Sequence, residues 1–380
     1  MTVPARRALL AFLAACVLLL GCARPPEAPP AAGPPDDPGV DELMGGRGRQ
    51  TVAERIGRAG GTWDQYVAWG RELFTTGSVA RPPVGPRPSP PVSRWYTCDR
   101  CHNVAREDPV LTVQDPEARL RYIAGRPGMA LLQGTTFWGA VNRETFYNGY
   151  YAQYHDLCVP ETTTDQPVAN GGPDDAGRCR PGTRRMVATS FEDAIQVCSG
   201  YCSLGRYLVR WELDALLAYF WTLEVRLSDL GLAPHDEALV RRTLRPLSRS
   251  RRHVEEARAL LAGRYLRRAG DTFRGVPAVR RRPDGTWEVG AYADGRRFTG
   301  DPARGQVIYE RSCLHCHDTA VSPVAGGDLA GDVGQFFQIL AKGTTQSDTW
   351  YMPEFTLERL SRQQSADVLA YLRRLRQQNR

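Results

Sequence analysis

Cys98-Asp99-Arg100-Cys101-His102 and Cys313-Leu314-His315-Cys316-His317 share one pattern, C-x-x-C-H, and the rest of the chain is read from it. Two thiols separated by two residues match the two vinyl groups on one edge of a porphyrin. The His directly after the second thiol reaches the iron from the proximal side, so the pattern is that of covalent c-type haem attachment. One match could be chance, but each half of the chain carries one. Zinc or redox C-x-x-C sites are the competing reading. They fit poorly, because each motif ends in His and no second Cys pair complements it. The expectation is two covalently bound haems, one on Cys98, Cys101 and His102 and one on Cys313, Cys316 and His317. His315 lies inside the second motif and by spacing is not a ligand.

The N-terminus reads as an export signal. Arg6 and Arg7 precede the apolar run Ala8–Leu20, and the stretch ends in Leu19-Leu20-Gly21-Cys22. That ending resembles a bacterial lipobox, which implies that Cys22 takes a lipid and becomes the new N-terminus. The alternatives are a plain cleaved signal or a single membrane anchor, but the run is shorter than the roughly 20 residues a span needs. From Ala23 to about Asp41 the chain is rich in Pro and Ala, a composition that forms an extended tether rather than a core. Residues 1–22 are therefore read as signal and lipobox, and 23–61 as tether. The expected place is the bacterial cell envelope, lipid-anchored, either periplasmic or surface-exposed.

Of the 380 residues, 42% are hydrophobic and 24% charged, a globular balance with length for two or three domains. Net charge is +7, two of those charges being Arg6 and Arg7, and Lys342 is the only Lys. Wholesale use of Arg reads as a compositional bias, not as a nucleic-acid footprint. No Ser/His/Asp constellation, Walker loop or Rossmann fingerprint is present. Of ten Cys, Cys158, Cys179, Cys198 and Cys202 remain once signal, lipid and haem attachment are assigned. Cys158 and Cys179 bracket a loop rich in Thr, Asp, Gly and Pro, so a disulfide between them is expected in an oxidising compartment. Cys198 and Cys202 at i,i+4 on a helix would hold Cβ atoms roughly 5–6 Å apart, against the about 3.5–4.5 Å of a disulfide. Cross-pairing among the four is the alternative.

Trp63–Phe74 carries apolar residues at helical spacing and stops at Gly77. A Pro-rich insertion (Pro82 to Pro91) separates it from the first motif. Trp211–Leu223 is again helical. A helix before the haem motif and another closing the unit resembles the class I cytochrome c fold, which implies that the two helices cross over one haem edge. The sixth ligand of the first iron has several candidates: Met129, His155, Met186, Cys198 and Cys202. Ser190 begins a capped helix, with Glu192 and Asp193 in its first turn, that runs through Cys198. Ile195, Cys198, Gly205-Arg206 and Ala218-Tyr219 follow the order of the Cys-ligated haem domain of thiosulfate dehydrogenases and related Sox-pathway cytochromes. That resemblance implies Cys198 as axial thiolate, with Met186 as the alternative. Leu204 departs from the family's usual Asn, and Cys202 has no counterpart there. The aromatics Phe137, Trp138, Phe146, Tyr147, Tyr150, Tyr151 and Tyr154 read as core and haem-edge packing.

Between the units lies an Arg-rich stretch with helices expected over Val240–Leu247 and His253–Leu266, then a β-hairpin within Arg280–Phe298 turning at Pro283-Asp284-Gly285. It reads as a solvated linker or as a docking surface for an acidic partner or anionic headgroups. In the last unit, Asp301 caps a helix with Pro302 at its first position. Trp350-Tyr351-Met352-Pro353 precedes a closing helix, Ser361–Leu375. In class I cytochromes such a Met-Pro step supplies the distal thioether, which implies Met352, and a soft thioether raises the potential.

The expected architecture is mainly α, two cytochrome c-like haem domains in series (62–230 and 299–380) joined by a basic helical spacer with a small β-hairpin (231–298). The expected function is electron transfer outside the cytoplasm, with redox proteins or a membrane respiratory complex as partners. The enzymatic alternative is oxidation of a sulfur compound at a Cys198-ligated haem, and a third possibility is the haem subunit of a larger respiratory complex.

Overall fold

The computed structural model describes residues 37–43, 46–94, 96–106, 116–126, 129–131, 134, 136–147, 149–161, 176–203, 205–244, 250–265, 279–281, 287–289, 299–314, 317, 336–337, 339–340, 355, 357 and 359–378. The signal, Cys22, Cys316, Met352 and the hairpin turn at 283–285 lie outside them. Within them the chain is mainly α-helical, with two small antiparallel sheets.

α1 (Val40–Leu43) and α2 (Gly48–Arg58) open the described chain. Both fall in the stretch expected as tether up to residue 61, and the structure shortens that expectation. Val52 and Ile56, one helical turn apart on α2, are buried in the core of the first unit. Arg55 of α2 forms ion pairs with Glu192 at 2.8 Å and Asp214 at 2.7 Å. The Pro-rich composition ends before this apolar pair begins, and the pair is what anchors the helix.

α3 (Trp63–Thr76) starts where the Thr62 side chain accepts from the Gln65 N–H and stops at Gly77, whose φ of 73° continues no helix. It buries Tyr66, Gly70, Leu73 and Phe74 against α6 (Arg210–Trp221). A Cβ on Gly70 would overlap the Ala215 carbonyl and lie 2.8 Å from Tyr219 Cβ, so the two helices touch backbone to backbone there. Phe74, one turn on, meets Tyr219 with ring centroids 5.6 Å apart.

The last unit repeats this construction. α9 (Pro302–Ile308) begins at Asp301, whose carboxylate accepts from the N–H groups of Ala303 and Arg304. It packs on α10 (Arg362–Gln378). A Cβ on Gly305 would overlap the Asp367 carbonyl and lie 3.0 Å from Tyr371 Cβ. Tyr309, one turn on, meets Tyr371 at 5.5 Å. The same pairing of glycine, carbonyl and aromatic rings therefore sets both crossings.

Two segments pack differently from their order along the chain. α4 (Pro116–Ala124) follows the first motif and falls in the expected 62–230 domain, yet its Ile123 packs with Leu131, Ile308, Phe337 and Leu360 in the core of the last unit. Glu117 pairs with Arg304 and accepts from Ser361 Oγ at 3.0 Å. The stretch expected as spacer is also docked. α7 (Pro234–Leu244) and α8 (Arg251–Tyr265) place Val240, Ala257 and Leu261 in one cluster with Val40, Leu43, Val225 and Leu227. Arg241, Arg251 and Arg252 each pair with a Glu one turn away, which neutralises part of the basic surface within its own helix.

β1 (Cys158–Pro160) and β2 (Thr183–Arg185) pair antiparallel, and a Cys158–Cys179 disulfide with Cα atoms 5.6 Å apart closes the loop between them. α5 (Phe191–Val197) follows β2. β3 (Val279–Arg281) and β4 (Trp287–Val289) form a second antiparallel pair, with Arg281 opposite Trp287. No described helix is long and apolar enough to cross a membrane.

Candidate haem sites

The first motif is wound into a tight 3-10 turn, Cys98–Arg100. The N–H groups of Cys101 and His102 both donate to the Cys98 carbonyl, at 3.2 and 3.0 Å. The turn thus places both thiols and the imidazole together. Gly134 backs His102: its N–H donates to the Cys101 carbonyl at 2.7 Å, and a Cβ there would strike the imidazole at Cε1 and Nδ1. Phe137 meets His102 at 4.6 Å between centroids and stacks on Phe220 at 4.2 Å with a 4° interplanar angle. A bare backbone and an aromatic pair therefore pack the His102 ring on one side.

The facing wall is built by α5 and its continuation. Ser190 Oγ accepts from the Asp193 N–H at 3.1 Å, and Asp193 is held by Arg184 at 2.6 and 2.9 Å. After Val197 the helix widens into a single π-turn, Cys198–Cys202, a deviation that often marks functional positions. Cys198 is hydrogen-bonded to both Cys202 and His102. The Cys202 hydrogen bond first, then His102, pulls the Cys198 thiol well below its ordinary range against the cost of burial. Burial first, then Cys198 and Asp99, pushes Cys98 up. Tyr147 completes the cluster: it adopts φ 57°, donates to the Ala194 carbonyl at 2.9 Å and contacts Cys202 through its hydroxyl.

The Pro-rich insertion seats the π-turn. Ser93 Oγ donates to the Ser203 carbonyl at 2.6 Å, and the Arg206 N–H to the Val92 carbonyl at 2.9 Å. Gly205 lies where a Cβ would overlap the Val92 carbonyl. Arg206 then forks onto Glu212, at 2.7 and 2.6 Å, while also donating to the Pro90 carbonyl at 2.8 Å. Glu212 is 1% exposed, so this bidentate pair locks the insertion to the start of α6 in a dry setting.

The other candidate ligands of the first iron are engaged elsewhere. Met129 packs against the core of the last unit. Met186 is buried with Phe146, Val159, Ala194 and Val197. His155 Nε2 lies 2.9 Å from the Phe146 carbonyl. Cys198 and Cys202 are the candidates that the fold brings to His102.

At the second motif α9 also passes into a π-turn, Tyr309–Cys313. The His317 N–H donates to the Cys313 carbonyl at 2.8 Å, matching the His102–Cys98 bond of the first motif. Tyr309 donates to the His317 carbonyl at 3.2 Å, and burial first, then Cys313 and Tyr371, pushes its phenol up to about 12. Phe336, Phe337, Leu340, Phe355 and Leu360 wall this side with apolar surface. The donor chemistry fits a c-type haem at the first motif: two thiols and an imidazole on one turn, a further thiol facing them, and glycine and aromatic walls suited to a flat ring. The described part of the second motif shares the His-to-Cys backbone bond and faces an apolar cluster.

Gly134, the pairing of Arg206 with Glu212 and the crossing glycines were not singled out from the sequence, whereas Tyr147 was read as core and haem-edge packing and Arg206 as part of the Gly-Arg step. Gly70 and Gly305 carried a readable signal, a glycine on the apolar face of a helix that ends near the motif. Gly134 carried none, because its partner is distant in sequence.

Residues 300–372 match the family model described as cytochrome c oxidase, cbb3-type, subunit III. This stretch is a cytochrome c haem domain, which implies a c-type haem and a part in electron transfer. No curated protein and no solved structure matches the chain.

Proposed function

We propose that the chain is a membrane-tethered di-haem c-type cytochrome that carries electrons outside the cytoplasm. One observation carries the reading. The unit around Cys98–His102, which lies outside the matched residues, repeats the Gly, carbonyl and aromatic crossing and the His-to-Cys backbone bond of the unit that is matched. Cys98 and Cys101, and Cys313 and Cys316, would hold the two porphyrins by thioether bonds. His102 and His317 would be the proximal ligands, Met352 the distal ligand of the second iron, and Cys22 the lipidated residue. Bound haem supplies a one-electron Fe(III)/Fe(II) couple. The protein's part is to orient the His102 imidazole through Gly134 and Phe137, to hold the His317 backbone through the Tyr309 bond, and to keep water from the ring edges. The partner is a redox protein or a membrane respiratory complex.

A second reading rests on the Cys198 cluster. A thiolate facing His102 lowers the potential and is displaceable, which suits oxidation of a sulfur compound at the first haem with the second taking electrons onward. Haem counting by pyridine haemochrome and intact mass tests the first reading: two haems per chain are expected, and one would overturn it. Low-temperature EPR of the oxidised protein tests the second. A thiolate-type low-spin signal that disappears in Cys198→Ala is expected, followed by turnover of thiosulfate or sulfite. His/Met-type signals unchanged by the substitution would remove Cys198 as ligand and the second reading with it.

A further inference from the structure

Cys202 has no part in either reading above, yet the fold sets it beside Cys198. Cys158 and Cys179 are joined, whereas Cys198 and Cys202 are both thiols and both partly exposed. Their sulfurs are in hydrogen-bond contact. An α-helix would hold Cβ atoms at i and i+4 roughly 5–6 Å apart, too far for a relaxed disulfide. These residues lie instead at the two ends of the π-turn Cys198–Cys202. A wider turn climbs less per residue, so it draws Cys202 closer to Cys198 along the axis. Cys202 is also the last residue of that turn, so its movement breaks no helix running on. The Ser203 N–H donates to the Cys198 carbonyl at 2.9 Å, which closes the turn, and the Tyr147 hydroxyl reaches Cys202. Tyr147 does so at φ 57°, a conformation that persists only where the surroundings impose it.

We propose that Cys198 and Cys202 are a reversible dithiol/disulfide pair, a modification site that decides whether the Cys198 sulfur is offered to the first iron. The switching part rests on the second reading above, in which Cys198 faces that iron as a thiolate, whereas the pairing itself does not. The oxidant is a disulfide, the class of reagent that makes a bridge such as Cys158–Cys179, and the reductant is a dithiol. One thiol of the pair attacks the incoming disulfide, whose S–S bond breaks to release one half as a thiol. The second thiol then displaces the other half from the mixed disulfide. Cys198 and Cys202 each give up a proton and together an electron pair, one S–S bond forms between them, and the oxidant leaves as two thiols. A pair drawn together from near-helical spacing closes under strain, and strained, accessible disulfides are the readily reduced ones. A dithiol therefore reopens it by the reverse exchange. In the closed state the Cys198 sulfur carries no thiolate charge, and His102 faces a neutral disulfide.

The test uses the full haem-loaded chain. One sample is reduced with dithiothreitol, freed of it, and its irons are reoxidised with stoichiometric ferricyanide; a portion is then treated with glutathione disulfide. Peptide mapping by mass spectrometry should show the segment holding Cys198 and Cys202 losing two hydrogens on treatment and regaining them with dithiothreitol. Unchanged thiols, or glutathione adducts without closure, would overturn the proposal, and so would a loss of two hydrogens that persists in Cys202→Ala. Low-temperature EPR of the same samples reads the iron. The thiolate-type signal should fall several-fold on closure and return on reduction, and a signal that survives closure would overturn the switch. A disulfide that forms in a protein with no thiolate signal in either state would show that the second reading has failed and the switch with it. Both wild-type readouts decide the matter without the variant.

Discussion

The two units built around a C-x-x-C-H motif share a frame and differ in what is hung on it. In both, a glycine brings the helix before the motif onto a carbonyl of the closing helix, and aromatic rings one turn on complete the contact. In the last unit α9 runs straight into Cys313. In the first unit the Pro-rich insertion intervenes, and the structure uses it to seat a π-turn that brings two thiols toward His102. A helix crossing fixes the fold, whereas the segments between the helices select the chemistry.

The frame itself should be the most sensitive point. Gly70→Ala and Gly305→Ala each force a methyl group into a backbone carbonyl. Each should cost about 3 kcal/mol or more and remove its own haem's signal while sparing the other. Thermal unfolding and haem spectra of the two variants check this, and equal loss of both haems from either one would show the frames to be interdependent. Arg206→Ala probes what the first unit has and the second lacks. It leaves Glu212 buried without its partner, for about 3 kcal/mol, and should shift the first haem's spectrum without moving the second's. Cys202→Ala should be milder. It removes the hydrogen bond to Cys198, so the first site's EPR g-values should move less than in Cys198→Ala, and a null shift would detach Cys202 from the site.

The smallest effect is in pH. Burial raises the Asp214 carboxyl above its ordinary value, against the pull of Arg55 and then Arg210. A raised carboxyl contributes stability that is present below its unfolded pKa and is lost as pH rises through the folded one. The stability advantage of wild type over Asp214→Asn should therefore shrink from pH 4 toward pH 7 in thermal melts. An advantage that grows with pH would contradict this assignment.

Much of the candidate site was legible because the C-x-x-C-H pattern places its residues adjacent in sequence. Cys98 to His102 form a local turn whatever surrounds them. The helices were legible for a similar reason: periodicity and caps such as Thr62, Ser190 and Asp301 are short-range features. The widening at Cys198–Cys202 was read as plain helix, because a π-turn has no periodicity of its own over five residues.

By itself the sequence determined the mainly helical class, both C-x-x-C-H motifs and the helices that flank them, since each depends on neighbours a few residues away. Tertiary structure alone decided the rest. An apolar face such as that of Pro116–Ala124 requires burial but does not name its partner, and chain order suggested the wrong one. Val52 and Ile56 could not show that the tether had ended, nor Val240 and Leu261 that the basic stretch was docked. The meeting of Cys198 with His102, and of Leu131 with Arg311, came from contacts distant along the chain, where loop closure and packing together select among many partners.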